Sequence, residues 1–399
     1  MWDEAIDIYQ VREIRSRGTI YFGVGAIDKI NYILEKLKSS GISKVIVITG
    51  ANSHKISGAW AKAETALKNS GLEYIISSNV EPNPTTNQID ASVKTGLDFG
   101  AEAVLAIGGG SVIDSAKSIA VLLKYSDKTS RQLYEKEFVP QNAVPIVAIN
   151  LTHGTGSEAD RFAVVTVTET GNKMAVGYDM MYPLYSIVDP FLMTKLSREQ
   201  TLYVSIDAFN HAFESATTNN TSPYSVSLSK ETIRLIAKYL PMALENPENL
   251  KARYFLAYAA MSVGFAFDCS GLHITHAIAK FLNNLKPEFP HGLSLTILLP
   301  SVIKHCYPQK AVIIADILQP VIPDLQGASE EAERVATAIE KWLFGLGLTQ
   351  KLEDCGITET DIPALVDICM NFPALKDLQA VTPMKITAEN IEQIYRESL

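Results

Sequence analysis

Four of the chain's seven histidines fall in two short segments, and an aspartate accompanies the first of them. Residues 205–215 read SIDAFNHAFES; on a helix, Asp207 and His211 lie one turn apart on the same face, where a carboxylate and an imidazole can grip one ion. The same pair is also a common surface ion pair, so it needs further donors. They come downstream, where GLHITH runs into AIAK and then PHG, offering His273, His276 and His291. Three imidazoles and one carboxylate make a borderline donor set suited to Fe(II) or Zn(II), with room for a substrate oxygen. His273 and His276 stand three apart, and spacing does not choose between them. His54, His153 and His305 read as structural or solvent-facing, although His153 lies inside a loop with ligand-binding features of its own.

That loop, Thr152 to Glu158, reads THGTGSE and offers glycines and hydroxyls that suit a nicotinamide ribose or a diphosphate. The plain alternative is a hydrogen-bonded loop with a capping serine. A second phosphate-binding feature is the apolar run 103–107 followed by Gly108, Gly109, Gly110 and Ser111, after which Val112, Ala116, Ile119 and Ala120 trace one helical face. Glycines there let the backbone turn tightly and approach a ligand, while the free N–H groups and positive end of a helix attract a pyrophosphate. Ser111 can cap that helix or bind phosphate. The pattern is not G-x-G-x-x-G, and a glycine triplet alone separates poorly a tight turn from a phosphate site; its strand-to-helix setting favours the second. Residues 81–85, EPNPT, form a rigid turn by default, since two prolines fix the backbone.

Positioning these groups falls to two kinds of element. In the first half, β-rich runs at 20–23, 45–49, 74–77, 104–107, 145–149 and 163–168 alternate with amphipathic stretches such as Ile27, Ile30, Ile33, Leu34 and Leu37, closed by Gly41, which is the pattern of a parallel sheet covered by helices. From about Ser197 onward the strands stop and helical periodicity takes over, broken by turns at Asn246-Pro247, Pro287 and Pro323. The expectation is therefore an α/β dinucleotide-binding domain over 1–190 with a Rossmann-like parallel sheet, and an all-α metal-binding domain over 191–399.

The 399 residues, 47% hydrophobic and 20% charged, are enough for two sizeable cores. A net charge of −9 argues against nucleic acid as the main partner. Cys269, Cys306, Cys355 and Cys369 lie far apart and read as reduced thiols. The opening MWDEAIDIYQ carries acidic residues where a signal peptide carries basic ones, and the apolar run 293–303 is short and holds Pro300, so a cytoplasmic protein with no membrane partner is expected.

Together these segments resemble the iron-containing alcohol dehydrogenases, a group that shares its fold with glycerol dehydrogenases and dehydroquinate synthases. Residues 108–117, GGGSVIDSAK, match the family's GGGS-x-x-D-x-A-K; 152–158 match its T-x-G-T-G-S-E; 207–214 match its D-x-x-x-H-x-x-E. Residues 272–300, with THAIAK, PHG and ILLP, look like the region that supplies the last two histidine ligands. The resemblance covers nearly the whole chain and implies the metal set Asp207, His211, His276 and His291, with His273 spare. It implies a dehydroquinate synthase-like two-domain fold, with catalysis in the cleft between a nicotinamide domain and an iron domain. It places Asn83, Gly108, Gly109, Ser111, Asp114, Thr152, Thr155, Phe162 and Lys173 at cofactor-contacting positions. More narrowly, WDEAIDI, YFGVGAI, ITG, GAW and THGTGSEADRFAV are similar to archaeal and anaerobe-type members.

Three departures stand out. Lys280 replaces a non-ligand histidine of the H-x-x-x-H found in many relatives, at a catalytic position near the nicotinamide; the alcohol proton is then expected to leave by water, the cofactor ribose or His153. The interval from His276 to His291 is one residue longer than in common relatives. Ser197 stands for a usual proline, and Val204 for a small residue. In IVITGANSHK, residues 46–55, Gly50 occupies the position where an acidic residue would bond an adenosine ribose and repel a 2′-phosphate. With Asn52, Ser53, His54 and Lys55 beside it, NADP(H) is expected to be accepted alongside NAD(H).

The expected activity is hydride transfer between NAD(P)(H) and a primary alcohol or aldehyde, with Fe(2+), or Zn(2+) in its place, and a homo-oligomer, a dimer first of all, as the assembly. Two alternatives come from other classes: a metal-dependent lyase of the dehydroquinate synthase type, and a dinucleotide-binding protein with reduced chemistry. The apolar DRFAV stretch with Phe265 and Phe267 speaks against the first, and the four retained ligands against the second.

Overall fold

The computed structural model describes residues 17–286 and 289–399; the WDEAIDI stretch and the turn expected at Pro287 lie outside them. The described residues form two compact units, one of 17–197 with 246–264, the other of 198–245 with 265–399. A short piece of the second half of the chain thus groups with the first half, which no single cut in the sequence would anticipate.

The first unit is built on strands β1 (Thr19–Phe22), β2 (Lys44–Gly50), β3 (Glu73–Val80), β4 (Ala103–Gly108), β5 (Ile146–Asn150) and β8 (Tyr185–Val188), all parallel, in the order β1-β8-β5-β4-β2-β3. Helices α1 (Lys29–Ser39), α2 (Ser53–Ile56), α3 (Ala59–Ser70), α4 (Thr86–Phe99), α5 (Gly110–Leu122) and α6 (Ser130–Tyr134) fill the connections. Successive side chains of a strand point to opposite faces, so each central strand feeds two cores. Val45, Val47, Leu105, Ile107, Val147 and Ile149 pack with Ile30, Ile33 and Leu34 of α1, while Ile46, Ile48, Val104, Ala106, Ile146 and Ala148 pack with Ile113, Ala116 and Ile119 of α5. That double burial explains why these strands read as unbroken apolar runs. From β2 the chain moves one way to β3 and then back past β2 to β4, which puts the switch of direction between β2 and β4. Ligands of open α/β sheets bind beyond the strand C-termini at such a point. Gly50 and Gly108 end those two strands.

Five of the six expected strands belong to this sheet. The sixth does not: β6 (Phe162–Thr166) pairs antiparallel with β7 (Lys173–Gly177) in a separate ribbon, and β8 takes the place beside β5. A parallel return needs a crossover of a dozen or more residues, normally helical. Residues 151–161 after β5 hold no helix, so the chain turns back as a hairpin through Gly171 at φ +70°.

The second unit is helical: α7 (Arg198–Thr217), α8 (Pro223–Glu245), the end of α9 (Leu250–Ser270), α10 (Ile274–Leu285), α11 (His291–Leu318), α12 (Ala332–Gly345), α13 (Ile362–Met370), α14 (Leu375–Val381) and α15 (Ala388–Glu397). Helix α7 packs against α8, α10 and α11, and its residues 205–217 are buried without a break. Helix α11 runs through Pro300 and Pro308 and bends at Lys310, whose φ of −133° and ψ of 26° leave the helical region. Among the described residues, no single helix is long and apolar enough to cross a membrane.

Candidate functional site

Helix α7 carries Asp207, His211 and Glu214 at successive turns, all buried. His276 lies in the first turn of α10, and His291 is the first residue of α11 behind its N-cap, Pro290. What brings His291 in is its neighbour Gly292: a Cβ there would lie 2.7 Å from the Tyr203 carbonyl oxygen on α7, so only glycine lets the start of α11 come this close. Asp207, His276 and His291 each offer a ligand atom within 4.8 Å of the others. His211 stands beside them, its Nδ1 3.7 Å from Asp207 Oδ1 and its ring stacked on that of His276 at 4.4 Å. Phe267 also packs on the His211 ring, with centroids 4.9 Å apart.

The donor atoms themselves test whether an ion fits. Asp207 Oδ1 and His276 Nε2 are buried, make no hydrogen bond, and face each other at 3.5 Å. Buried polar atoms are rarely left without a partner. A divalent ion shared among one carboxylate and imidazole nitrogens satisfies them together. Electrostatics agree: burial would raise the Asp207 carboxyl, yet His211, His276 and His291 outweigh it and hold the group well below the usual carboxylate range. For His276, burial disfavours the charged ring, but Glu214 and Asp207 prevail and push its pKa up to about 9. The cluster is thus built for positive charge.

Glu214 does the orienting. Its Oε2 accepts from His276 Nδ1 at 2.7 Å, which turns Nε2 toward Asp207. The same carboxylate accepts from the backbone N–H groups of His273, Thr275 and His276, at 3.1, 2.5 and 3.3 Å, and so caps the start of α10. One side chain therefore fixes both the helix and the ring on it. His273, the other histidine left open by spacing, shares a hydrogen bond of 2.9 Å with the Thr217 hydroxyl through Nε2, and burial brings its pKa down to about 4. Glu214 was visible only as the last letter of a motif; the signal that could have found it is its place on the same helical face as Asp207 and His211. Lys280 follows His276 by one turn of α10 and is half-buried.

In the sheet unit, α5 starts at Gly110 with Gly109 as N-cap and no side-chain cap, so Ser111 does not close the helix end as one reading of the sequence had it. The Val112 N–H already bonds the Gly109 carbonyl oxygen at 3.0 Å, which leaves the N–H groups of Gly110 and Ser111 for a ligand or for water. None of the three glycines has a positive φ. Their purpose is room: a Cβ on Gly109 would lie 2.8 Å from the Thr152 side chain, and one on Gly110 2.5 Å from that of Thr155. Loop 152–158 is thereby seated on the helix start with only Thr152 and Thr155 half-exposed. Gly109, Ser111, Asp114, Asn83, Phe162 and Lys173 are likewise half-buried, and Lys173 Nζ donates to Asn83 Oδ1 at 2.7 Å. Asp114 is already engaged, accepting from the Ser157 hydroxyl at 2.6 Å and from Val164 N–H at 2.9 Å, which ties α5 to the loop and to β6. Lys117, fully buried, adds bonds to Ser157 Oγ, Asp160 and the Phe162 carbonyl oxygen.

Two of the loop histidines prove structural, and for His153 this bears on the proton route. His54 is buried with its ring edge-on to Trp60, leaving Asn52, Ser53 and Lys55 as the exposed groups beyond β2. His153 is buried and its Nε2 bonds the Arg253 guanidinium at 2.9 Å, while burial and that cation bring its pKa down to about 3. A ring so held does not pick up protons at neutral pH, which removes it from the proton routes.

Comparison with known proteins gives a consistent picture. The family model described as iron-containing alcohol dehydrogenase matches residues 18–190, and that described as the C-terminal part of the Fe-containing alcohol dehydrogenase family matches 201–399. The long-chain primary alcohol dehydrogenase AdhA of Thermoanaerobacter ethanolicus is 51% identical over 398 residues, covering all of both chains. Among solved structures, an archaeal halo-thermophilic Red Sea brine pool alcohol dehydrogenase aligns over 99% of this chain and all of its own with a TM-score of 0.90 at 26% identity. An NADH-dependent butanol dehydrogenase A from Thermotoga maritima aligns over 98% of each chain, with a TM-score of 0.88 at 29% identity.

Proposed function

The chain belongs to the iron-containing alcohol dehydrogenase family, and from that premise we propose that Asp207, His211, His276 and His291 hold its ferrous ion. We read Gly50, Asn83, Gly108, Gly109, Ser111, Asp114, Thr152, Thr155, Phe162 and Lys173 as its dinucleotide site. The enzyme is an oxidoreductase that moves a hydride between a nicotinamide dinucleotide and an alcohol or aldehyde. When bound, the ion supplies Lewis acidity toward the substrate oxygen and the nicotinamide supplies the hydride acceptor or donor. The observation that carries the reading is the pair Asp207 Oδ1 and His276 Nε2, buried, facing and without a hydrogen bond.

The chain's own residues do the rest. Asp207 is the carboxylate of the set, Glu214 keeps the His276 ring turned, and Phe267 packs on the His211 ring. Gly109 and Gly110 admit the two threonines that flank the free start of α5, where a diphosphate is favoured. Lys280 is the candidate catalytic group one turn beyond His276, where an amine that can hold an oxygen stands in place of an imidazole. Primary alcohols and aldehydes are the proposed substrates, long chains among them given the relative's specificity, with a homo-oligomer in the cytoplasm as the working form.

Two assays test this. Steady-state kcat/KM on a C2 to C8 series of aldehydes, run anaerobically with added iron, should show turnover that rises or falls smoothly with chain length; no net reduction of any aldehyde would overturn the substrate reading. Repeating it with NADPH and NADH tests the reading of Gly50 and its exposed neighbours Asn52, Ser53 and Lys55. NADPH should be used at least comparably, and a strong preference for NADH sinks that part.

A further inference from the structure

The loop 152–158 is held from behind by a short piece of helix α9 that groups with the sheet unit. Asn249 starts that helix by accepting from Ala252 N–H at 3.1 Å, and Arg253, fully buried one turn in, reaches back to the Pro247 carbonyl oxygen through Nε at 2.9 Å. Its Nη1 meets His153 Nε2 at 2.9 Å. Further along, Gly264 and Gly156 touch backbone to backbone: a Cβ on Gly264 would lie 2.6 Å from the Gly156 carbonyl oxygen, and Gly156 itself sits at φ +68°. The loop is thus pinned at one end by an ionic hydrogen bond and near the other by a contact that only two glycines permit.

The chemistry of the first pin is one-directional. Arginine offers only donors and keeps its charge in proteins, so His153 Nε2 must present its lone pair and the ring must carry its hydrogen on Nδ1. A proton on Nε2 would remove the acceptor and set two cations against each other in a buried place. Because His153 follows directly on Thr152, turning the imidazole inward onto Arg253 leaves the threonine at the half-exposed surface beside Gly109.

We propose that His153 is a positioning residue, anchored by Arg253, that holds loop 152–158 in the shape presenting Thr152 and Thr155 to the dinucleotide. This rests on the reading of the loop as part of the cofactor site, and it assigns His153 a role through the loop rather than through the reacting atoms.

The test compares His153→Gln, whose amide oxygen can still accept from the guanidinium, with His153→Leu, which cannot. NADPH and NADH binding is followed by fluorescence of the reduced nicotinamide, amide hydrogen exchange is read over residues 150–160, bound metal is measured, and the pH profile of kcat is recorded. His153→Leu should weaken dinucleotide binding about tenfold, the size of effect a lost charge-assisted hydrogen bond carries. It should also speed exchange in the loop while bound metal stays unchanged. His153→Gln should recover most of both, with the wild-type pH profile. Unchanged binding and exchange in both variants overturns the proposal, and so does loss of kcat in both with binding intact, the signature of a proton carrier. If His153→Leu does not fold, Arg253→Lys against wild type decides by the same two readouts, and unaltered loop exchange there counts against the proposal. Should the wild type bind neither dinucleotide, the cofactor reading fails, whereas loop exchange still reports on the anchor.

Discussion

Glu214 shows how much one buried carboxylate can carry: it caps the start of α10 through three backbone N–H groups and aims the ring of His276 with Oε2. A glutamine there keeps the shape but gives up the charge. Groups that orient metal-bound histidines typically contribute about 10- to 100-fold in affinity. Glu214→Gln should therefore lower iron affinity within that range and cost roughly 1–3 kcal/mol of stability from the weakened buried bonds; metal titration and denaturant unfolding read the two effects. Glu158 is the opposite case. Its carboxylate is buried, and burial, only partly offset by its own backbone N–H, by the Asn150 side chain and by Lys117, raises its pKa from 4.5 to about 7. A carboxyl raised on folding favours the fold fully below pH 4.5, and that contribution is lost as pH climbs through about 7. Glu158→Gln should accordingly gain stability over wild type between those values and hold a constant lead, at most about 3 kcal/mol, at higher pH. Unfolding both proteins in urea from pH 4.5 to 8 measures it, and parallel curves would show that Glu158 is ionised throughout.

At the scale of elements, the site depends on how closely helix ends approach their neighbours. Gly292 lets α11 begin against the backbone of α7, and Gly109 and Gly110 let a loop settle on the start of α5. Gly292→Ala should push the start of α11 and His291 away from α7, so that bound iron falls while the far-ultraviolet circular dichroism changes little; full iron occupancy would mean that α7 and α11 yield without disturbing His291. Much of this was legible in the sequence. The apolar runs of β2, β4 and β5 declare a doubly covered sheet, and Asp207 and His211 at a spacing of four declare one helical face. What escaped detection has physical reasons. Strand β8 is only four residues, YSIV, directly before Asp189-Pro190, and β7 lacks strong alternation. That β6 leaves the main sheet follows from a missing crossover helix, a property of the segment before it. The anchoring of His153 by Arg253 joins residues 100 apart in the chain, beyond any local pattern.

For the whole molecule, the proposed function gives the two cofactors to two compact units, a dinucleotide to the sheet and a ferrous ion to the helices, and hydride transfer depends on both. Wild type and His276→Ala, purified anaerobically with iron, can be compared in one experiment that measures iron per chain and the alcohol-dependent appearance of reduced nicotinamide. The proposed site requires about one iron per wild-type chain with turnover, and loss of both in His276→Ala, with NADPH binding retained. Full activity of His276→Ala, or an active wild type without a divalent metal, would contradict it.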